Sequence, residues 1–408
     1  MSENREKNIR LLLNKVFGGG IKIENLETNG LSVGENYQSE IISVNLKVNN
    51  EKDTDQDNNR SVIMKMLPMN KDYREICDLK SLFKREVFMY GTILPAYKRF
   101  EIDSGISESE VLNIAPLHYG SQLNSNAEIG FYEDNDTFIA LENLRTQGYY
   151  KVDRKIGANL IHSKLAVQAM AKFHAIGIAI KHKNPKGFEM LKKESTPAQV
   201  KHPQDWIEIA ENVYKLIEND SKIQKYVDSC KKLYKMEEDQ RTSTPLEPWT
   251  SIIHGDFSSL NILFHQKPDK SIPEDVKFVD FQNHTFTSPL RELAFFLAIS
   301  ADQEVFENHY DELLDLYYET LKNRLTLFGV DTKLYSKESF NKQYVQDARL
   351  HFPHCIAVLQ IVTLDVGIND EAVANLPKLL LQNSPRNDIF CEKLRKIILF
   401  YDGRGWFN

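Results

Sequence analysis

Residues 252–264 read IIHGDFSSLNILF, and residues 276–282 read VKFVDFQ. Each opens with a short apolar run, the length of a buried strand rather than a helix. Each then delivers polar residues at its end. The first run leads into His254-Gly255-Asp256, with Asn261 following on the same segment, and the second leads into Asp280. Two carboxylates and one amide thus reach strand ends close together in the chain. Phosphoryl transfer needs such a set. One carboxylate orients an acceptor hydroxyl and takes its proton, while a second carboxylate and an amide oxygen hold Mg²⁺ on nucleotide phosphates.

Working upstream, that chemistry calls for a cation. Residues 41–48 alternate in period two, as a half-buried strand does, and 61–67 (SVIMKML) form a second strand. Lys65 lies inside it between apolar neighbours, where an unpaired ammonium is costly. Residues 78–93 read as a helix with Leu79, Leu82, Phe83, Val87 and Tyr90 on one face, and Glu86 on this helix is a plausible partner for Lys65. A strand lysine held by a helix glutamate is how protein kinases fix the nucleotide. The glycine run 18–20 is no phosphate loop, because no Gly-Lys-Ser/Thr follows it.

The remaining pattern gives the organisation. Residues 1–17 read as a helix ended by the glycines, 49–60 as a solvated hairpin loop, and 137–141 (TFIAL) as a strand. Beyond that the period becomes helical. Residues 159–180 form a long apolar helix, 181–248 are charged and largely helical including 206–234, and 289 onward is helical again. The shift near Asn143 sets the boundary, with a cleft between the two parts as a natural ligand site.

Composition excludes other classes. The chain has 408 residues, 51 Lys+Arg and 58 Asp+Glu, for a formal charge of −7. That length suits a few domains or two large lobes. The mild acidity argues against nucleic-acid or anionic-membrane partners. No stretch approaches the roughly 18 apolar residues of a membrane span, and the polar N-terminus does not read as a secretory signal. Cys77, Cys230, Cys355 and Cys391 are too scattered for a disulfide framework, which suits the cytoplasm. The sequons at Asn59, Asn135, Asn219 and Asn283 are expected to be silent there. No protein partner is evident.

In order along the chain, GENYQSEIISVNLKV (34–48), VIMKMLP (62–68), FKREVFMYGTILP (83–95), FIALENLRTQGYYKVDR (138–154), AVQAMAKFHAIGIAI (166–180), HGDFSSLNILF (254–264) and VDFQNHTFTSPLRELAFFL (279–297) resemble the ecdysteroid kinase-like (CHK kinase-like) family. These proteins are related to aminoglycoside phosphotransferases and choline kinases. The resemblance implies an α+β, two-lobed protein kinase-like fold with an N-terminal antiparallel sheet plus helix and a larger, mainly helical C-terminal lobe. The lobes would be 1–141 and 146–408, joined by a hinge at 142–145, with a helical insertion at about 181–250. It implies ATP and Mg²⁺ as cofactors and a small-molecule alcohol as substrate, an ecdysteroid or another apolar alcohol. Carried over, Asp256 is the catalytic base, Asn261 and Asp280 are the metal ligands, and Lys65 binds the phosphates with Glu86 holding it. Glu142, Asn143 and Leu144 present backbone groups to adenine, and Gly34 belongs to the turn over the phosphates.

The chain departs from the family pattern at three places: Asn143 where Asp is usual, Glu292 where Asp is usual, and 257–260 where a Trp and an Asn-Asn pair are common. Two rival functions stay open. A choline- or aminoglycoside-type kinase needs acidic and aromatic residues converging on a cationic acceptor. A non-catalytic binding protein on the same scaffold would usually have lost Asp256, Asn261, Asp280 or Lys65, and all four are present. Blander roles compete at single positions. His254 suits a loop brace better than a proton shuttle, Lys65 competes with a snorkelling edge lysine, and Glu86 with a solvated helix charge. The His351-x-x-His354-Cys355 spacing is read as non-metal.

Overall fold

The computed structural model describes residues 3–18, 21–27, 39–48, 59–67, 78–123, 137–195, 204–240, 243–364, 376–384 and 387–408. The first part is a five-stranded antiparallel sheet in the order β1-β2-β3-β5-β4, built from Ile21–Glu27, Glu40–Val48, Asn59–Met66, His118–Gln122 (β4) and Phe138–Glu142 (β5). The period-two alternation decides what each face does. Ile42, Val44, Val62 and Met64 face one way and bury against Ile9, Leu12 and Leu13 of the first helix, α1 (Glu3–Phe17). Ile41, Ile63 and Lys65 belong to the alternate set and line the cleft on the other face.

The expected helix at 78–93 forms but does not stop there. Leu79–Phe88 (α2) passes through a wide π turn, Met89–Ile93, into Leu94–Asp103 (α3). Pro95 reads as a helix breaker. Here the Leu94 N–H reaches back to the Met89 carbonyl, a wider turn of the kind that accommodates irregularity within a helix, and the rod continues.

Beyond residue 148 the chain is mainly helical. Leu160–Lys183 (α4) opens on Asn159, whose Oδ1 accepts the N–H groups of Ile161 (3.1 Å) and His162 (3.2 Å). Its apolar composition follows from burial on nearly every side. The largely helical segment including 206–234 holds two helices, Gln204–Asn219 and Val227–Gln240, separated where Asp220 turns the chain by accepting the Gln224 N–H through its carbonyl. Three short strands, Ser251–Ile253 (β7), Ile262–His265 (β8) and Asp275–Phe278 (β9), lie under the cleft. β8 pairs with β9 and with Tyr149–Tyr150 (β6), and β7 pairs with Thr285–Thr287 (β10). Cys230, Cys355 and Cys391 are unpaired thiols. No helix among the described residues is long and apolar enough to cross a membrane.

Candidate active site

β7 is buried throughout and aims the following loop at the cleft. Gly255 makes the turn at φ 84°, where a Cβ would sit 2.0 Å from the Asn283 carbonyl oxygen, so only glycine fits this approach of two backbones. His254 braces the loop. Its Nε2–H donates to the Val279 carbonyl (2.9 Å), and its Nδ1 accepts the Asp256 N–H (3.3 Å). Both ring nitrogens are therefore committed in the neutral tautomer, and burial holds the pKa below its ordinary value.

Beneath the loop lies Glu292, on the helix Pro289–Ile299. Its carboxylate accepts the His254 N–H (3.2 Å) and the Gly255 N–H (2.7 Å), and the Nε2–H of buried His174 (2.8 Å). The glutamate that departs from the family's usual aspartate thus ties the first two backbone donors of the loop.

Asp256 is held at the loop's edge by Asn261, whose Nδ2 donates to the Asp256 carbonyl (2.9 Å) and to its Oδ2 (3.0 Å). Burial pushes the Asp256 carboxyl up to about 7; the charge of Asp280 adds to the rise and the Asn261 hydrogen bond opposes it. Asp280, two residues beyond β9, lies in the left-handed region at φ 66°, a conformation rare for a residue other than glycine, asparagine or aspartate.

Lys65 pairs with Glu86 and has a second partner, Asp280. Its Nζ lies 2.6 Å from Glu86 Oε2 and 2.5 Å from Asp280 Oδ1, with Lys65 and Glu86 both buried. Burial disfavours the Lys65 charge, but Asp280 and Glu86 outweigh it and hold its pKa above the ordinary value. Burial pushes the Glu86 carboxyl upward against the pull of Lys65, with Asp280 adding to the rise.

The cleft above this cluster is walled by Ile41 and Ile63 from the sheet and by Leu263 and Val279 from below. Such facing apolar walls accept a flat ring between them. Glu142, Asn143 and Leu144 line the cleft, but Asn143 is not free for a ligand. Its N–H donates to the Ser61 carbonyl (3.1 Å), its carbonyl accepts from Thr146, and its buried side chain caps the 3₁₀ turn Leu144–Gln147 through the Arg145 N–H (3.2 Å). The Leu144 N–H, first in that turn, has no acceptor among the described residues, as helix starts leave it. Gly34 lies outside the described residues.

Sequence reasoning missed Lys151, which lines the same cleft. Its signal was only its place shortly after 142–145. Its loop is fixed on both sides: Tyr149 OH donates to Asp275 Oδ2 (2.5 Å), and the Arg154 guanidinium donates to carbonyls of Ile361, Val362 and Leu364 at the end of a long helix. His351 and His354 pack against Phe295, at 5.7 and 5.1 Å between ring centroids.

The chain belongs to the ecdysteroid kinase-like family, whose model matches residues 33–330. Its two-lobed architecture, an antiparallel sheet and helix beside a larger helical part, is the protein kinase-like fold. No curated protein sequence matches it significantly. Among solved structures it is similar to an ethanolamine kinase of Plasmodium vivax, at 14% identity over 92% of this chain and 84% of that one, with a TM-score of 0.39. It is similar to a choline kinase of Cryptosporidium parvum Iowa II, at 13% identity over 95% and 93% of the two chains, with a TM-score of 0.41. A third is the GDP complex of aminoglycoside 2'-phosphotransferase-IIIa, at 12% identity over 94% and 99%, with a TM-score of 0.41.

Proposed function

We propose that the protein is an ATP-dependent small-molecule kinase that transfers a γ-phosphoryl group to a hydroxyl of an ecdysteroid-like or other apolar alcohol. The observation that carries this reading is the ion cluster of Lys65, Glu86 and Asp280 at the floor of an apolar-walled cleft, beside the hydrogen-bonded pair Asp256 and Asn261. Nucleotide binds between residues 1–141 and 146–408, with 142–145 as the hinge. Adenine lies between the apolar walls, with the Leu144 N–H as a donor at its edge.

The residues fit a magnesium ion. Asp280 and Asn261 offer hard oxygen donors, and the Asn261 Oδ1 has no protein partner among the described residues while its Nδ2 serves Asp256. One ammonium meets the carboxylates of Glu86 and Asp280, and the charge of Asp280 also acts on Asp256, so the cluster accommodates further positive charge. Bound there, the ion neutralises charge on the transferred phosphoryl group.

The chain's own residues do the rest. Lys65, steered by Glu86, orients the phosphates, and Lys151 brings a second cation to the cleft. Asp256 accepts the proton of the acceptor hydroxyl and guides it for in-line attack. Asn261 fixes the Asp256 carboxylate, and Glu292 and His254 hold the loop against the rebound of charge. The family supports the acceptor class, and the unpaired thiols suit a cytoplasmic setting.

The test is a phosphorylation screen with γ-labelled ATP over steroid, choline, aminoglycoside and phenolic alcohols. Label transferred to an apolar alcohol is the expected result. Transfer only to choline or an aminoglycoside overturns the acceptor class, and MgADP failing to bind overturns the kinase reading itself.

A further inference from the structure

Glu86 sits near one end of the helical rod formed by α2, the π turn and α3, and Glu101 sits near the other. At 1.5 Å per residue the two are about 22 Å apart along the axis. One face of the sheet has its own core with α1, whereas the rod packs into the core of the helical part, which also takes in Ile139 and Leu141 from the cleft side of the sheet. Most of the apolar surface that seats the rod, and with it Glu86, therefore belongs to the helical part.

The seating at the far end is specific. Glu101 is fully buried, a costly place for a carboxylate, and it is met by the Arg324 guanidinium from Tyr310–Leu327 and by the Leu112 N–H (2.9 Å). One turn earlier, Tyr97 fills a notch made by Gly177, where a Cβ would lie 2.5 Å from the Tyr97 hydroxyl oxygen. A buried ion pair adds little net stability over an apolar pair, and its best-attested use is to fix register. Register is what Glu86 needs. A slip of one residue would move it about 1.5 Å along the axis and turn it about 100° away from Lys65.

We infer that Glu101 and Arg324 are positioning residues for the nucleotide site: their buried pair locks the register of the rod, and so holds Glu86 on Lys65. This rests on the reading of Lys65 as a nucleotide-binding residue.

The experiment has two arms on the full chain. In the first, amide hydrogen exchange is followed without ligand in Arg324→Ala. Faster exchange across 79–93, as well as locally over 94–117, is expected; a rise confined to 94–117 overturns the inference. In the second, MgADP affinity is measured by calorimetry in a cycle with Glu86→Gln. Arg324→Ala should weaken binding by roughly tenfold alone and add nothing in the Glu86→Gln background, as for residues acting through one contact. Equal losses in both backgrounds overturn it, and Arg324→Lys should recover part of the loss. Glu101→Gln keeps the shape without the buried charge and should show the same signs at smaller size if Arg324→Ala does not fold. If the parent chain does not bind MgADP, the kinase reading fails, and the exchange arm still decides the inference.

Discussion

Lys65 and Asp280 stand 215 positions apart in the sequence and 2.5 Å apart in the structure. The contact joins the sheet to the loop after β9, so one ammonium closes the cleft floor from both sides. It also makes Lys65 answer to two carboxylates, Glu86 at 2.6 Å being the other. Lys65→Met should therefore cut turnover on the order of 10²–10³-fold, the scale for removing one preorganised donor. Glu86→Ala should lose part of that through the same contact. In a double-mutant cycle the two losses should be far from additive, and additive losses would mean that the pair does not act as a unit.

Asp280 invites a metal test that respects its backbone. Its φ of 66° penalises alanine, whereas asparagine tolerates the left-handed region. Asp280→Asn should fold and keep a basal nucleotide affinity, yet lose most of the gain that Mg²⁺ confers on ADP binding. Titrations of MgADP against ADP with chelator, in parent and variant, read this directly. An undiminished metal-dependent gain in the variant would remove Asp280 from the metal site.

Much of this was legible in residue pattern, and the failures have physical causes. The strand carrying Lys65 was visible because SVIMKML is a short, mostly apolar run closed by Pro68. The strand β4, HYGSQ, was not, because it is short and half-buried throughout, which leaves no period to read. β8 was hidden in the segment after HGD, since its four residues follow a loop whose polarity masks them. The rod beyond Ile93 was missed because Pro95 signals a stop, and only the π turn lets the helix pass it. The pairing of Lys65 with Glu86 followed from strand-then-helix order, but its contact with Asp280 depends on how the two parts close, which no local pattern encodes. Asn143 lines the cleft, and its role as a cap was unreadable until Ser61 and Arg145 were seen around it.

Gly255 offers a check on the loop that needs no substrate. Gly255→Ala would drive a Cβ into the Asn283 carbonyl oxygen at a φ of 84°. Something must shift, and the Glu292 hydrogen bonds to His254 and Gly255 are the connections at risk. A destabilisation above about 3 kcal/mol is expected, among the large values for single substitutions. Thermal unfolding of the variant at a temperature close to the parent's would show that the loop is not packed this way.

Asp256→Asn tests the proposed base, and two kinds of measurement bear on it. The first is turnover with the acceptor identified by the screen. Asparagine keeps the shape and a hydrogen-bonding partner for Asn261 but has no basicity, so turnover should fall by about 10²–10⁴-fold while MgADP affinity is kept. A near-parental rate would leave Asp256 no role as base. The second is pH. Burial raises the Asp256 carboxyl to about 7, and the base works as a carboxylate, so kcat/KM of the parent should rise with pH through that region. The same raised pKa has a consequence for stability. The neutral form is the one the fold tolerates, so its contribution is fully present below the ordinary carboxyl value of about 4 and is lost as pH rises through about 7. Asp256→Asn cannot ionise and escapes that loss. Its Tm relative to the parent should therefore climb between about pH 4 and pH 7, where the unfolded chain has lost this proton and the folded one keeps it, and level off near the pH at which parental activity appears. A Tm difference independent of pH would show that the carboxyl is not held up by burial, and the activity profile would then need another titrating group.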